Sequence, residues 1–204
     1  ISNIGDKILV GTKGAPETIA DRLSNVPADY ESTFKHYTRN GSRVLALAYK
    51  YLKNGKSLES LERKDVEKDL TFAGFIVFHC PMKDDAVETI QMLNHSSHRC
   101  VMITGDNPLT ACHVASKVGI ITKDVLILDK PEKNHSGDNS LEWRNVDETR
   151  VIPVNKDITF DMKFLKENDL CITGYALNEL MNHPQISTLI RYSWVYSRVS
   201  PSQK

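Results

Sequence analysis

The sequence lacks an excess of charge of either sign and lacks any long apolar run. Its 204 residues include 26 Lys and Arg and 26 Asp and Glu, so the formal net charge is zero. This balance does not indicate a polyanionic partner such as a nucleic acid. No stretch approaches the about 18 apolar residues of a membrane-spanning helix, and the first residues do not resemble a signal peptide. We therefore predict a soluble chain without a membrane span.

Close cysteine pairs are absent as well. The four cysteines are far apart in the sequence and form no C-x-x-C motif, which argues against a disulfide framework and a zinc ribbon. We predict buried free thiols in a reducing compartment and no metal site. The cysteines are Cys80, Cys100, Cys112 and Cys171.

Composition and length allow a substantial core. Hydrophobic residues make up 40% of the chain and charged residues 25%, as in ordinary globular proteins. The length suits one large or two small domains. The sequence opens on what resembles a strand already under way and closes without a stop signal. We therefore expect a piece of a longer protein.

The first third of the chain predicts the order strand, helix, helix, strand, helix. Residues 7–14 form an apolar run, and Pro16 suits the first position of a helix. Residues 28–41 predict a helix that ends at an Asn-Gly pair, residues 42–52 predict a strand, and residues 57–70 an amphipathic helix or linker.

From residue 72 onward the pattern changes to strand, helix, strand, helix. The runs at 72–80 and 99–103 are typical of strands buried on both faces, and residues 83–96 and 108–119 have helical spacing. This alternation predicts an α/β fold with a parallel sheet and crossover helices. Further strand candidates lie at 125–129, 170–174 and 193–199. The polar segment at 130–140 predicts a surface loop.

An acidic residue follows one predicted strand directly, in the segment MITGDNPLTA. Ligands of an open parallel sheet bind beyond the carboxyl ends of its strands, where Thr104, Gly105 and Asp106 lie. Asn107 can cap the next helix and Pro108 can take its first position, so free N–H groups face the same crevice. These residues suit a phosphate: Gly105 allows close approach, Thr104 offers a hydroxyl, and Asp106 can accept from a sugar hydroxyl or a metal-bound water.

The spacing alone leaves a second interpretation open. In it, Asp106 caps the helix and Thr104 forms a turn, since so short a motif recurs by chance. Other segments of the chain decide between the two.

Several motifs occur in an order that is typical of one protein family. Together they resemble P-type ATPases, over essentially the whole chain. Four segments are most similar in sequence to the type V, A subgroup, the endoplasmic reticulum enzymes of fungi and other eukaryotes. They are FIVFHCPMKDDAVETIQML, SSHR, TGYALNEL and RVSPSQK. The ordered motifs are KGAPE (13–17), RVLALAYK (43–50), DLTFAGFIVFHCPMKDDA (69–86), MITGDNPLTA (102–111) and YSRVSPSQK (196–204).

The resemblance implies two domains. Residues 1–70 would be the C-terminal part of the nucleotide-binding domain, which is α+β. Residues 71–204 would be most of the phosphorylation domain, a haloacid-dehalogenase-like parallel sheet with crossover helices and an insertion loop near 129–160.

The resemblance also implies roles for individual residues. Lys13 would line the ATP pocket and Arg43 would reach the nucleotide phosphates, as a point cation and a forked cation suit a polyanion. Thr104, Gly105 and Asp106 would meet the phosphoryl group and the nucleotide. Arg198 would lie near the ribose, and Lys204 would neutralise an aspartyl-phosphate. Placed charges of this kind supply most of the catalysis of phosphoryl transfer.

The function that the resemblance implies is ATP hydrolysis through an aspartyl-phosphate, with ATP and Mg²⁺ as cofactors, in an ATP-driven membrane transporter. The subgroup is associated with removing misplaced transmembrane helices from the endoplasmic reticulum, and earlier with cation transport. The implied partners are a nucleotide and the actuator and membrane domains of the same protein, with no nucleic acid. This portion would face the cytosol.

Some family motifs are missing or changed. The phosphorylated aspartate of D-K-T-G-T and the magnesium acids of G-D-G-x-N-D do not occur in these 204 residues. We therefore expect the chain alone not to hydrolyse ATP, with its magnesium ligands mostly elsewhere in the protein. Where many members carry D-P-P-R, this chain has Cys-Pro-Met-Lys, so Lys83 keeps a cation without the acid.

Two other functions stay open at this point. The first is a non-catalytic nucleotide-binding module that has the pocket without the chemistry. The second is a stand-alone phosphatase of the dehalogenase superfamily, although its D-x-D-x-T motif does not occur in the sequence.

Overall fold

The described strands form two sheets, one with four strands and one with six. The structure is a computed structural model, and it describes residues 1–4, 7–53, 62–131, 141–154 and 159–203. Two compact units divide the chain. One unit comprises Ile1–Thr38 and Ser42–Cys80, and the other comprises Arg39–Gly41 and Pro81–Lys204.

The first unit contains the four-stranded sheet, in which neighbouring strands run antiparallel in the order β1-β2-β3-β4. Three helices accompany it. The strands are β1 (Ser2–Ile4), β2 (Lys7–Gly14), β3 (Arg43–Lys53) and β4 (Thr71–Phe78), and the helices are α1 (Pro16–Ala20), α2 (Tyr30–Arg39) and α3 (Arg63–Val66).

Alternating side chains give this sheet one buried face. Ile8 and Val10 on β2 and Val44, Ala46 and Ala48 on β3 are all buried, as the two-residue period of a strand predicts. The three β3 residues belong to one cluster with residues of the two longer helices, and residues of β4 pack against it. The remaining members of that cluster are Ile19, Tyr30, Phe34 and Leu70, with Ala20, Leu23, Phe72 and Phe75 packed against it.

The second unit contains the six-stranded sheet, in the order β5-β10-β9-β6-β7-β8. Strands β5, β10, β9 and β6 run parallel, and β6, β7 and β8 pair antiparallel. The strands are β5 (Met102–Ile103), β6 (Val125–Asp129), β7 (Leu141–Asn145), β8 (Val151–Val154), β9 (Asp169–Thr173) and β10 (Ser193–Ser197).

One helix of the second unit precedes β5, and the other four lie between its parallel strands along the chain. The two central strands β6 and β9 are almost wholly buried, as strands covered on both faces are. The helices are α4 (Ala86–His95), α5 (Pro108–Lys117), α6 (Met162–Glu167), α7 (Gly174–Glu179) and α8 (Ile186–Tyr192). The α/β class predicted from the sequence is confirmed, with mixed rather than purely parallel sheets.

Three sequence-based expectations are wrong in detail. The strand β4 was expected in the parallel sheet, but it pairs antiparallel with β3 and much of it is exposed. The strand β5 was expected to be buried, but only Met102–Ile103 forms it and Ile103 is 50% exposed. Buried thiols are found at Cys112 and Cys171, whereas Cys80 is exposed.

Two regions contain secondary structure that the sequence did not specify. The hairpin of β7 and β8 falls in the region expected to be an insertion loop, and its Trp143 is buried in the core. Of the helix or linker expected at 57–70, the structure describes a short helix, and residues 57–61 lie outside the described residues. Among the helices described here, none combines the length and the apolar character that crossing a membrane requires.

Candidate functional site

The carboxyl ends of four parallel strands meet at one edge of the second sheet. Because β5, β10, β9 and β6 run in the same direction, the residues that follow them lie along this edge. We call it the carboxyl edge. Thr104 follows β5, Arg198 follows β10, Gly174 follows β9, and Asp129 ends β6.

The segment after β5 is tied to the segment after β10 by the backbone. The N–H of Arg198 donates to the carbonyl of Asp106 at 3.1 Å, and the N–H of Val199 donates to the carbonyl of Thr104 at 3.1 Å. The N–H of Thr104 donates to the carbonyl of Tyr196 at 2.8 Å. Four of the predicted site residues, Thr104, Gly105, Asp106 and Arg198, are therefore neighbours in the structure.

The helix after this segment begins as the sequence predicts. The side-chain oxygen of Asn107 accepts from the N–H of Leu109 at 2.9 Å, and Pro108 takes the first helical position. The cap is therefore Asn107 and not Asp106. The hydroxyl of Thr104 accepts from the N–H of Asp106 at 3.1 Å, so Thr104 does form a turn. The exposed Gly105 lies between them.

The Arg198 segment also packs against the start of α7. Arg198 has a positive φ of 53°, which turns the chain sharply after β10. A Cβ atom at Gly174 would lie 2.4 Å from the carbonyl oxygen of Arg198. Only glycine leaves room for so close an approach of two backbones.

A buried polar network that was not predicted from the sequence supports the start of α7. The hydroxyl of Thr173 accepts from the N–H of Ala176 at 3.2 Å and donates to Oδ1 of Asp129 at 2.9 Å. Arg144 on β7 donates to Oδ2 of Asp129 at 3.0 Å and to Oε1 of the buried Glu142 at 3.2 Å. The alternating charges of LEWRN at 141–145 were the available signal.

Two cysteines lie in the core of the second unit, in α5 and β9. The pKa of the Cys112 thiol lies well above its ordinary value, chiefly because of a hydrogen bond to Cys171 and secondly because the thiol is buried. The sulfur of Cys171 is 3.5 Å from the hydroxyl oxygen of Ser197. The Cys112 thiol therefore stays protonated at neutral pH, and it is not a nucleophile.

Lys13 and Arg43 share one face of the first sheet. Lys13 pairs with Leu47, and Leu45 and Arg43 follow on the same face because alternate residues of a strand point the same way. Lys13 and Arg43 are exposed, and the two leucines are half-buried. We call this the open face. On β4, Ile76 pairs with Leu45, and Gly74 pairs with Leu47.

Two further cations, Lys204 and Lys83, were named from the sequence. Lys204 lies outside the described residues. Lys83 is exposed in the segment before α4. Within the described ranges, no group of three or more His, Cys, Asp or Glu side chains is placed to hold a metal ion.

Comparison with known proteins identifies the family. A family profile described as "P-type ATPase, cytoplasmic domain N" matches residues 1–85. The chain is 54% identical to an endoplasmic reticulum transmembrane helix translocase of Saccharomyces cerevisiae, over 100% of the chain and 17% of that protein. It is 54% identical to the corresponding translocase of Aspergillus fumigatus, over 96% of the chain and 15% of that protein.

A plant protein matches over the same extent under another name. The chain is 45% identical to a probable manganese-transporting ATPase of Arabidopsis thaliana, over 100% of the chain and 17% of that protein. The chain thus spans less than a fifth of the length of these relatives. The resemblance drawn from the ordered motifs is confirmed, and the chain belongs to the P-type ATPases, with its fungal relatives in the type V group.

Proposed function

We propose that the chain supplies part of the ATP-binding and phosphoryl-transfer machinery of an ATP-driven membrane transporter. The observation that carries the proposal is the carboxyl edge, where Thr104, Gly105 and Asp106 lie beside Arg198 through two backbone hydrogen bonds. A hydroxyl and an exposed backbone at a helix start, with a cation in the adjoining segment, suit a phosphoryl group. Held rigidly, such groups stabilise developing charge at no cost of reorganisation.

The open face of the first sheet suits a nucleotide. It combines the exposed cations Lys13 and Arg43 with the partly exposed apolar side chains Leu45, Leu47 and Ile76. The cations suit phosphate oxygens and the apolar surface suits a flat base. A Cβ atom at Gly74 would meet nothing within 4 Å, so the β4 backbone beside Leu47 is open to a ligand. We assign Lys13 and Arg43 to nucleotide binding.

The domain assignment follows from the same argument. We propose that the first unit is part of the nucleotide-binding domain, which the profile match over residues 1–85 supports. We propose that the second unit is most of the phosphorylation domain, with a haloacid-dehalogenase-like order of parallel strands and crossover helices. The hairpin of β7 and β8 adds antiparallel strands to that sheet.

ATP and Mg²⁺ are the cofactors that this reaction requires. The chain offers groups that fit ATP, and we propose that Asp106 accepts from a sugar hydroxyl or a metal-bound water. We assign no magnesium cluster to the described residues. ATP supplies the phosphoryl group, and the residues proposed here bind and orient it.

The whole protein is proposed to act in the endoplasmic reticulum membrane, with this portion facing the cytosol. The fungal relatives are named as endoplasmic reticulum transmembrane helix translocases, and the plant relative as a probable manganese-transporting ATPase. We therefore propose a transmembrane-helix dislocase or a cation transporter. Its partners are the nucleotide and the actuator and membrane domains of the same protein.

Titration calorimetry with ADP or a non-hydrolysable ATP analogue tests the nucleotide assignment. We expect weak binding by the chain, and we expect Lys13→Ala and Arg43→Ala each to weaken it by about tenfold, the effect of losing one charge-assisted contact of about 1.5 kcal/mol. Lys7→Ala is the matched control, because Lys7 lies on the same face of the same strand about 20 Å away.

Two results would contradict this assignment. Unchanged affinity in both variants would remove Lys13 and Arg43 from the pocket, and an equal loss in Lys7→Ala would reduce their effect to general attraction by positive charge. We also expect the chain alone not to hydrolyse ATP, because neither D-K-T-G-T nor G-D-G-x-N-D occurs in it.

A further inference from the structure

The side chain of Gln203, at the end of the carboxyl edge, is less exposed than those of the two residues before it. It closes a short 3₁₀ turn, Pro201–Gln203, in which Pro201 and Ser202 are exposed and Gln203 is half-buried. Surface turns rarely hold a long polar side chain inward, because doing so costs rotamer entropy. The contacts of Gln203 explain why this one is held.

Every hydrogen-bonding site of the Gln203 amide is used. Its Oε1 accepts from the N–H of Ser200 at 2.9 Å and from the hydroxyl of Ser200 at 3.0 Å. Its Nε2 donates to the carbonyl of Gly174 at 3.0 Å and to Oδ1 of Asn178 at 2.8 Å. A primary amide offers two donors and two acceptor sites. The amide therefore joins its own turn to the first turns of α7.

Close packing makes this junction tight. A Cβ atom at Gly174 would lie 2.4 Å from the carbonyl oxygen of Arg198 and 2.9 Å from Oε1 of Gln203. The segment from Arg198 to Gln203 therefore lies directly on the start of α7, and a displacement of one would displace the other.

The other end of the same segment is tied to the proposed phosphoryl site. Arg198 and Val199 donate their N–H groups to the carbonyl oxygens of Asp106 and Thr104. The segment is thus fixed at its start to the site and at its end, through Gln203, to α7. Arg198 is exposed between the two attachments.

We propose that Gln203 is a positioning residue for phosphoryl transfer. Its amide holds the segment from Arg198 to Gln203 against α7 and so keeps Arg198 beside Thr104 and Asp106. The inference rests on the proposed function. Its physical basis is that a misplacement of about 1 Å at a catalytic group can reduce the rate by about 100-fold.

The test uses the full-length protein and Gln203→Glu. The substituted carboxylate keeps the acceptors that face Ser200, loses both donors, and sets a negative charge against the oxygens of Gly174 and Asn178. We expect kcat for ATP hydrolysis to fall by about tenfold or more, with KM for ATP within about twofold of the wild type, because the turn orients the reacting group without binding the base. Acid-stable phosphoenzyme at saturating ATP should form more slowly in parallel.

Gln185→Glu is the matched control. Gln185 is another glutamine of the second unit, and its amide accepts from the N–H of Phe160 at 2.7 Å and donates to the carbonyl of Phe160 at 3.3 Å. The same substitution there removes a similar donor without touching the segment after β10. We expect a comparable shift of the thermal unfolding midpoint and an unchanged kcat.

A milder variant covers the case in which Gln203→Glu does not fold. Asn178→Ala removes one of the two acceptors of Nε2, and we expect it to lower kcat by about threefold, since part of one hydrogen bond is lost. A wild-type kcat in folded Gln203→Glu, or equal losses of kcat in the Gln203 and Gln185 variants, would overturn the inference.

Asp106→Ala separates this inference from the proposed function. If Asp106→Ala forms phosphoenzyme at the wild-type rate, the proposed function of the carboxyl edge fails, and the role of Gln203 fails with it. If Asp106→Ala is impaired and Gln203→Glu is not, the inference about Gln203 fails alone.

Discussion

The backbone N–H of Arg198 donates to the carbonyl oxygen of Asp106 at 3.1 Å, although the two residues follow different strands of the sheet. With the bond from Val199 to Thr104, this contact continues the pairing of β5 and β10 beyond their last paired residues. Because both contacts use backbone atoms, substitutions of the side chains leave them in place. Substitutions of the Asp106 and Arg198 side chains therefore report on chemistry more than on folding.

Gly105→Ala should separate activity from stability. Beyond its own chain neighbours, a Cβ atom at Gly105 would lie nearest to the carbonyl oxygen of Val199, at 3.9 Å, which is an ordinary contact. The free energy of unfolding should therefore change by no more than about 0.5 kcal/mol. The added methyl group would occupy the space that the phosphoryl group is proposed to approach, so phosphoenzyme formation by the full-length protein should fall by about tenfold or more.

Urea unfolding and a phosphorylation assay check the two halves of this expectation. Normal phosphorylation in Gly105→Ala would show that no ligand approaches the backbone there. A large loss of stability would show instead that the residue serves the fold.

Gly174→Ala should have the opposite effect. Its Cβ atom would lie 2.4 Å from the carbonyl oxygen of Arg198, a backbone atom that cannot move without its segment. Overpacking of this kind lowers the free energy of unfolding by about 1–3 kcal/mol, because the backbone must shift to make room. We expect a loss of this size in the free energy of unfolding of the second unit, measured by urea unfolding followed by circular dichroism.

Gly105→Ala is the matched control for Gly174→Ala, because both glycines follow parallel strands of one sheet and differ in the space around them. If the two variants were equally stable, the close approach of α7 to the Arg198 segment would be contradicted. A displaced Arg198 segment should also slow phosphoenzyme formation by the full-length protein.

Local signals made much of the fold predictable. The apolar runs of β2 and β3, the Asn107-Pro108 helix start and the glycine after α5, which has a φ of 78°, were all visible in the sequence. Each depends on residues within one or two turns of each other. The neighbourhood of Thr104 and Asp106 was predictable for the same reason, since a strand followed at once by a capped helix defines a carboxyl edge.

Contacts between distant residues were not predictable. The partner of β4 is β3 rather than a parallel strand, and apolar composition alone does not distinguish these pairings. The network that links Arg144 to Asp129 and Thr173 joins three different strands. Gln203 meets Gly174 and Asn178 only because β9 and β10 are neighbours in the sheet. The spacing of residues along the sequence does not predict contacts of this kind.

Tyr30→Phe should reveal a pH-dependent contribution to the first unit. The buried hydroxyl of Tyr30 donates to the carbonyl of Pro16 at 2.8 Å. Burial, and secondarily the negative charge of Glu17, raises the pKa of Tyr30 above its ordinary value of 10.0. At pH 7 the variant keeps the ring and loses the hydrogen bond, so the free energy of unfolding should fall by about 1 kcal/mol. Tyr37→Phe, at an exposed tyrosine of the same helix, should change it little at this pH.

The difference between wild type and Tyr30→Phe should then shrink at alkaline pH. The folded protein holds the phenolic proton more tightly than the unfolded chain, so ionisation favours unfolding once the pH exceeds the unfolded value of about 10. The contribution of Tyr30 is complete below that pH and is lost above it, at about 1.4 kcal/mol per pH unit. Urea unfolding at pH 7, 9, 10 and 11 measures this. A difference that stayed constant over this series would contradict the raised pKa, because the variant lacks only the ionisable hydroxyl.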